Sequence, residues 1–389
     1  MTPSKSIVQP AQVAMLVHGA EAYGIGTIER MYASHWPDMT VVCLSRGPMW
    51  DWLQQRKGPA ELVEGLAHFA ARKTSHTMLQ LPALIRQARG DAARINERLK
   101  GKGIRFVHTH RLPQQLIAGC MRRHGYLSVW QINNYMNTRR LWGVGRRLNH
   151  RLAKWGADLL LPASDYIAAN WQGCGVPIAT VHNAAEPLFN APNELSLTGP
   201  VHCLVVGRMQ ASKGHHVAIE AAALAKQAGC DVRLDLYGGP VEDNLYAEQL
   251  RQQIGAADMQ NEIRLMGFCS DLRARQRDYH LGLQCRIDPE PCSLWVCETL
   301  VDGLPLLASA TGGTPELVED GVTGYLYAAG SATELATRLI ELCRDRPRLQ
   351  AMRQSAFVRG QQSFTTQRFL NQTLAAYEQA SSSQNDRAN

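Results

Sequence analysis

The chain of 389 residues is short of the features that anchor or cross-link proteins. No segment approaches the ~18 apolar residues of a membrane span. The first ten residues, Met1-Thr-Pro-Ser-Lys-Ser-Ile-Val-Gln-Pro10, hold no apolar core, so no secretory leader is expected there. The ten cysteines are scattered and none has zinc-finger spacing; Cys43, Cys203, Cys285 and Cys297 lie inside apolar runs. Buried, reduced thiols in a cytoplasmic protein are the expectation. The Gly-x4-Gly-Lys-Ser/Thr order of a phosphate-binding P-loop is missing. Internal repeats are missing too. Acidic residues are scarce in one place above all: none stands between Glu97 and Asp158, while Lys and Arg recur throughout.

That gap reflects a wider asymmetry. Residues 1–190 hold 23 Lys/Arg against 11 Asp/Glu, a net of +12, and the remainder holds 18 against 23, a net of −5. A surface that meets something anionic is the usual cause. The length exceeds what one hydrophobic core fills, so two domains are expected. Apolar runs at 13–18, 40–44, 104–108, 127–132, 159–162 and 178–181 read as strands of a first domain. Those at 201–206, 232–237, 263–266, 282–285 and 304–308 read as strands of a second. Helical segments such as 215–228 and 245–254 lie between them. Continuous apolar strands alternating with helices predict two α/β, doubly wound parallel sheets covered on both faces. Ligands of such sheets bind at the carboxyl ends of the strands. The Pro- and Asn-rich stretch 187–200 reads as the linker between domains at 1–186 and 201–362. A helix at 363–380, crossing back to the first domain, and a disordered tail at 381–389 complete the plan.

The stretch Asp288-Pro-Glu-Pro-Cys-Ser-Leu-Trp-Val-Cys-Glu298-Thr-Leu-Val-Asp-Gly303 places two carboxylates, Glu290 and Glu298, around the start of a helix. Ser293 is a fitting cap, Leu294, Cys297, Leu300 and Val301 a fitting apolar face, and Gly303 a fitting stop. A short strand follows, then Thr311-Gly-Gly-Thr-Pro-Glu316, with Thr314 as N-cap and Pro315 at the first helical position. Two helix N-termini then follow each other on one side of a sheet. Their free N–H groups suit phosphate, and an ionised carboxylate beside them suits sugar hydroxyls. Gly207-Arg208-Met-Gln-Ala-Ser-Lys213-Gly214 follows an apolar strand and offers two cations at its carboxyl end. Tyr237-Gly-Gly-Pro240 ends a strand at the same edge and reads equally as a plain turn or as a ligand contact.

Together these three elements resemble the retaining glycosyltransferases of the family-four type, which have the two-domain GT-B fold. Glu290 and Glu298 match that family's Glu-seven-Glu motif, and residues 312–316 its Gly-Gly-x-Pro-Glu segment. Arg208 and Lys213 match its Gly-Arg…Lys-Gly element. The resemblance implies two Rossmann-like domains facing across a cleft, with the nucleoside-diphosphate sugar, UDP- or GDP-linked, on the C-terminal one. Arg208 and Lys213 are then catalytic cations on the diphosphate, with Gly207 beside them. Glu290 grips the donor sugar near the reacting carbon, and Glu298 the ribose. The N–H groups of Cys292, Ser293 and Leu294 meet phosphate or sugar oxygens. No metal and no cofactor are expected, because the cations replace a metal. A nucleotide-sugar 2-epimerase shares the fold and the donor, and a sugar-nucleotide-binding protein without activity would have lost donor contacts, whereas Arg208, Lys213, Glu290 and Glu298 are all present. An epimerase would isomerise the donor with no acceptor present.

The first domain is read more loosely. Tyr23-Gly24-Ile-Gly26-Thr-Ile-Glu29 departs from the dinucleotide fingerprint, since Glu29 occupies the third glycine position. It resembles the family's glycine loop over the donor diphosphate, with Ile25 separating Gly24 from Gly26. His110, Asn133 and Asn134 stand at strand ends as candidates for acceptor hydroxyls, or for packing. Where many relatives carry a histidine, this chain has Asn133. His182-Asn183 resembles the family's hinge segment. The stretch from Arg139 to Trp155 is basic, with interleaved apolar residues. It suits a domain helix with a solvated basic face, or the anionic inner surface of a cytoplasmic membrane. A glycan or lipid-linked saccharide acceptor, in cell-surface polysaccharide, lipopolysaccharide or glycolipid synthesis, is the implied partner. Nothing resembles a nucleic-acid module.

Overall fold

A computed structural model describes residues 8–20, 24–65, 74–134, 144–196, 198–242 and 244–388. The chain divides into two compact units, Met1–Val181 with Leu370–Asn389, and His182–Phe369. The first unit carries β1 (Val13–Val17), β2 (Thr40–Cys43), β3 (Ala60–Leu62), β4 (Phe106–Thr109), β5 (Leu127–Ile132) and β6 (Leu159–Pro162), ordered β3-β2-β1-β4-β5-β6. The second carries β7 (Val201–Val206), β8 (Val232–Tyr237), β9 (Ile263–Gly267), β10 (Leu281–Gln284), β11 (Leu306–Ser309) and β12 (Gly324–Tyr327), ordered β12-β11-β10-β7-β8-β9. Every named pairing is parallel. Counted from its own first strand, each sheet has the order 3-2-1-4-5-6. The order reverses beside β1 and β4 in one unit and beside β7 and β10 in the other. Such reversals open the crevice where ligands of doubly wound sheets sit.

The strands are apolar because helices cover both faces. All residues of β1, β2, β4, β5 and β6 are buried. In the second unit Leu234, Leu236, Leu283 and Leu307 pack with Ile219 and Leu339 from the flanking helices. Among the described residues no helix is long and apolar enough to cross a membrane.

The structure departs from the sequence reading at edges and ends. The short strands β3 and β12 close their sheets' outer edges, where three or four residues leave little periodic signal. Residues 178–181 run beside β6 but form only the single bridge Leu160 to Ile178. Pro162 has no N–H to continue the ladder, although its carbonyl accepts from Val181. The strand expected at 304–308 is Leu306–Ser309, because Leu304 N–H still bonds Thr299 O and Pro305 has none to give. The boundary between units falls at Val181/His182, ahead of the stretch at 187–200, since Asn183 and Ala185 bond into the second unit. Residues 381–388, expected as a disordered tail, continue the helix Thr366–Ala388.

Candidate functional site

In the second unit, the turn after β7 is shaped by glycine. Gly214 has φ +72°, and a Cβ there would lie 1.8 Å from Cys285 O. Only glycine allows that approach, which sets the turn Ala211–Lys213 against the end of β10. Gly207 lies under the Lys213 stem, where a Cβ would meet Cδ and Cγ at 3.3 Å. Lys213 Nζ then stands 3.2 Å from Glu290 Oε2, and Arg286 Nη1 stands 3.3 Å from the same oxygen. Val206, Gln284, Ser293 and Trp295 line the cavity around these three side chains. Trp295 buries its indole N–H there without a partner among the described residues.

The loop bearing Glu290 is held from several sides. Ile287 N–H donates to Ser212 O at 3.0 Å, and Gly313 N–H donates to Glu290 O at 2.8 Å. Gly312, at φ +62°, sits so close that a Cβ would be 2.1 Å from Glu290 O. Asn183 Nδ2 donates to Cys292 O at 2.7 Å, and Asn183 N–H approaches Cys292 Sγ at 3.4 Å. Ser293 caps the helix Leu294–Val301 as the sequence suggests, its Oγ accepting from Val296 N–H. The N–H groups of Cys292, Ser293 and Leu294 donate no hydrogen bond among the described residues, so they are open to an anion. The cap of the next helix, Thr314–Leu317, is Gly313 rather than Thr314. Thr314 already has helical geometry, with Val318 N–H on its carbonyl, and its Oγ1 is buried without a partner among the described residues.

Burial pushes the Lys213 ammonium below its ordinary pKa; Glu290 opposes that fall and Arg286 adds to it. Arg208 lies exposed beside them, its charge felt at Lys213. Glu298 is half-buried further along the helix, and burial pushes its carboxyl up to about 6. Its electrostatic neighbours are Arg273 and Asp302, themselves paired at 3.1 Å, rather than Lys213. The structure therefore brings Gly207, Lys213, Glu290 and Ser293 together, with Arg208 at the rim and Glu298 in a separate charge environment. Arg286 was not legible in the sequence, since a lone arginine after a strand carries no motif. In the sequence Asn183 reads only as part of a hinge segment.

The first unit places its residues differently. Gly24, at φ +63°, precedes the helix Ile25–His35, and Gly26 is buried in its first turn. His110 is buried, its Nδ1 accepting from Asn133 Nδ2 at 3.1 Å. Burial holds its pKa well below the usual value, with His108 and Arg111 lowering it further. Asn133 is half-buried and Asn134 exposed. Behind them lies a network that sequence reading missed. His108 Nδ1 meets Tyr377 OH at 2.5 Å and Nε2 meets Gln131 Oε1 at 3.0 Å. Tyr32 OH donates to Gln131 Oε1 at 3.1 Å and meets Thr373 Oγ1 at 3.0 Å. Tyr377 and Thr373 come from the last helix, so no local pattern announces the cluster.

With this geometry in place, residues 190–359 match the model of a family described as glycosyl transferases, group 1. The matched segment covers every element of the Lys213–Glu290 cluster. A Salmonella typhimurium protein provisionally named colanic acid biosynthesis glycosyltransferase WcaL is 30% identical over 232 residues, 56% of each chain. Amylovoran biosynthesis glycosyltransferase AmsK of Erwinia amylovora is 30% identical over 197 residues, 48% of this chain and 47% of that one. The chain thus matches about half the length of these relatives. Among solved structures, Anabaena HepE in complex with UDP superposes with a TM-score of 0.79 at 18% identity, covering 95% of this chain and 100% of that one. HepE in complex with UDP-glucose gives 0.73 at 19%, covering 93% and 98%. The likeness extends the GT-B fold across nearly the whole chain, the first unit included.

Proposed function

We propose that the protein is a retaining, metal-independent glycosyltransferase that moves a sugar from a UDP- or GDP-linked donor to a glycan or lipid-linked saccharide in surface polysaccharide synthesis. The observation that carries this is Glu290 held between Lys213 and Arg286, at the crevice beside β7 and β10. A diphosphate there meets Lys213, Arg208 and the open N–H groups before the helix Leu294–Val301. Cations fixed where charge develops stabilise the departing diphosphate without the reorganisation that water needs. Glu290 accepts hydrogen bonds from the donor sugar's hydroxyls, and Glu298 from the ribose. No side chain in the cluster is a free base. The departing phosphate therefore takes the acceptor's proton on the face it leaves, and configuration at the reacting carbon is retained. Retaining glycosidases work otherwise, with two carboxylates flanking the bond. Gly24 and Gly26 serve the donor diphosphate, and Asn133 and Asn134 the acceptor, with His110 orienting Asn133. The names of the two relatives support a polysaccharide product, and HepE's complexes support a UDP-linked donor. The basic helix Val144–Gly156 suits contact with the anionic cytoplasmic face of a membrane.

Thermal unfolding with a panel of UDP- and GDP-sugars tests the donor. A ligand bound only by the native state raises apparent stability. One nucleotide series should raise the melting temperature, and its sugar should then appear on a saccharide acceptor. No shift with either series would reject the reading.

A further inference from the structure

Glu290 Oε2 carries two cations at once, Lys213 Nζ at 3.2 Å and Arg286 Nη1 at 3.3 Å. All three side chains are largely withdrawn from water, at 24%, 19% and 13% exposure for Lys213, Arg286 and Glu290. A carboxylate oxygen accepts more than one contact, so both coexist in the free protein. An incoming diphosphate changes the balance. Lys213 is the residue placed to meet it, and an ammonium that turns toward phosphate gives up its hold on the carboxylate. Glu290 would then stand half-desolvated beside a new anion. With one of its two contacts gone and a like charge beside it, the carboxylate is free to swing away from the sugar hydroxyls.

Arg286 is built to prevent this. It belongs to the same loop as Glu290, four residues before it, and its Nε donates to Asp288 O at 3.3 Å. That bond fixes the guanidinium to the loop itself, independent of what binds Lys213. An arginine also stays charged where a desolvated lysine need not. The remaining charges near Glu290 are committed elsewhere: Glu316 pairs with His182 at 2.8 Å, and Glu298 faces Arg273 and Asp302. Arg208 acts on Lys213.

We propose that Arg286 is a positioning residue that keeps Glu290 aimed at the donor sugar once Lys213 has turned to the diphosphate. The idea rests on the donor-site reading above. Its consequence is a split: Arg286 matters to the sugar and to turnover, and little to the nucleoside diphosphate alone.

The test uses the full chain as wild type, Arg286→Ala and Arg286→Lys. Affinity for UDP and GDP is measured by calorimetry, and donor turnover by release of nucleoside diphosphate. Thermal unfolding checks that each variant folds. Nucleotide affinity should stay within about twofold, while kcat in Arg286→Ala falls at least about tenfold with a smaller change in KM. Arg286→Lys should recover most of the loss. Nucleotide affinity falling in parallel with turnover would make Arg286 a phosphate ligand and overturn the proposal. Unchanged kcat in Arg286→Ala, or no recovery in a folded Arg286→Lys, would overturn it too. Wild-type protein that binds neither UDP nor GDP defeats the donor-site reading itself, an outcome visible before any variant is made.

Discussion

The two sheets share one strand order, yet their crevices are furnished in opposite ways. Beside β7 and β10 stand charges: Lys213 and Arg286, each within 3.3 Å of Glu290 Oε2, with Arg208 at the rim. Beside β1 and β4 stand buried neutral groups: Tyr32, His108 and Gln131, joined to Thr373 and Tyr377, with the His110 ring against His108. Burial holds the His108 imidazole down at about 3, so it is uncharged at neutral pH. Charge is costly to bury unless a ligand or counter-ion repays the desolvation. A neutral network needs no ligand and fixes the conformation of what it supports. The contrast fits the proposed function, with the chemistry in the second unit and a scaffold role for the first unit's buried cluster.

The sharpest way to break this contrast is Glu290→Gln. It keeps the shape and removes the charge. Turnover should fall about 10²–10³-fold, the size of one transition-state contact, with a smaller change in the donor's KM. Steady-state kinetics on the donor found by thermal shift decides it. A variant with near-normal kcat would strip Glu290 of its catalytic part.

Lys213→Ala and Arg208→Ala come next. Each should weaken nucleoside-diphosphate binding by ~1.5–3 kcal/mol, the worth of one charge-assisted contact, and leave the fold intact. The half-buried Lys213 should lose more than the exposed Arg208, since screening by water is weaker around it. Calorimetry with UDP and GDP measures both. Equal affinity in wild type and both variants would remove the cations from the site.

The same contrast explains what the sequence disclosed. The second unit's cluster comes from three short peptides, 207–214, 286–298 and 312–316, each with its own local pattern. Glycines at positive φ, a serine cap and spaced carboxylates are all visible within a dozen residues. The β-strands were legible for a similar reason, since burial on both faces leaves unbroken apolar runs. The first unit's network joins Tyr32 to Thr373 and His108 to Tyr377, residues 341 and 269 apart. No pattern in the chain links such positions before it folds. Arg286 escaped for another reason: its meaning lies in one distance to Glu290, and nothing in its neighbours announces it.

Tyr377→Phe probes the scaffold side. It removes the hydroxyl that meets His108 Nδ1 and leaves a buried nitrogen without its partner. The expected loss is about 1–3 kcal/mol of stability, the cost of one unsatisfied buried group. Denaturant unfolding measures it, and nucleotide affinity should not change. A weakened nucleotide complex with unchanged stability would reverse the roles given to the two clusters.

The smallest effect per residue concerns the surface of the first unit. On the helix Val144–Gly156 the side chains of Arg146, Arg147, Arg151 and Lys154 are exposed, and Trp155 is 38% exposed beside them. Arg139, Arg140 and Trp142, which extend the basic stretch in sequence, lie outside the described residues. Cations with an interfacial tryptophan suit an anionic bilayer, where each basic residue near the surface contributes ~1 kcal/mol. Arg147→Gln and Arg151→Gln should each lower affinity for anionic vesicles about fivefold, with no effect on nucleotide binding. High salt should abolish the wild-type binding, because exposed charges are screened within about a Debye length. Co-sedimentation with anionic and neutral vesicles at low and high salt reads all of this. Equal partitioning onto both lipids would point to apolar insertion instead of charge. No binding to anionic vesicles at low salt would assign the +12 excess of residues 1–190 to the pull of an anionic acceptor.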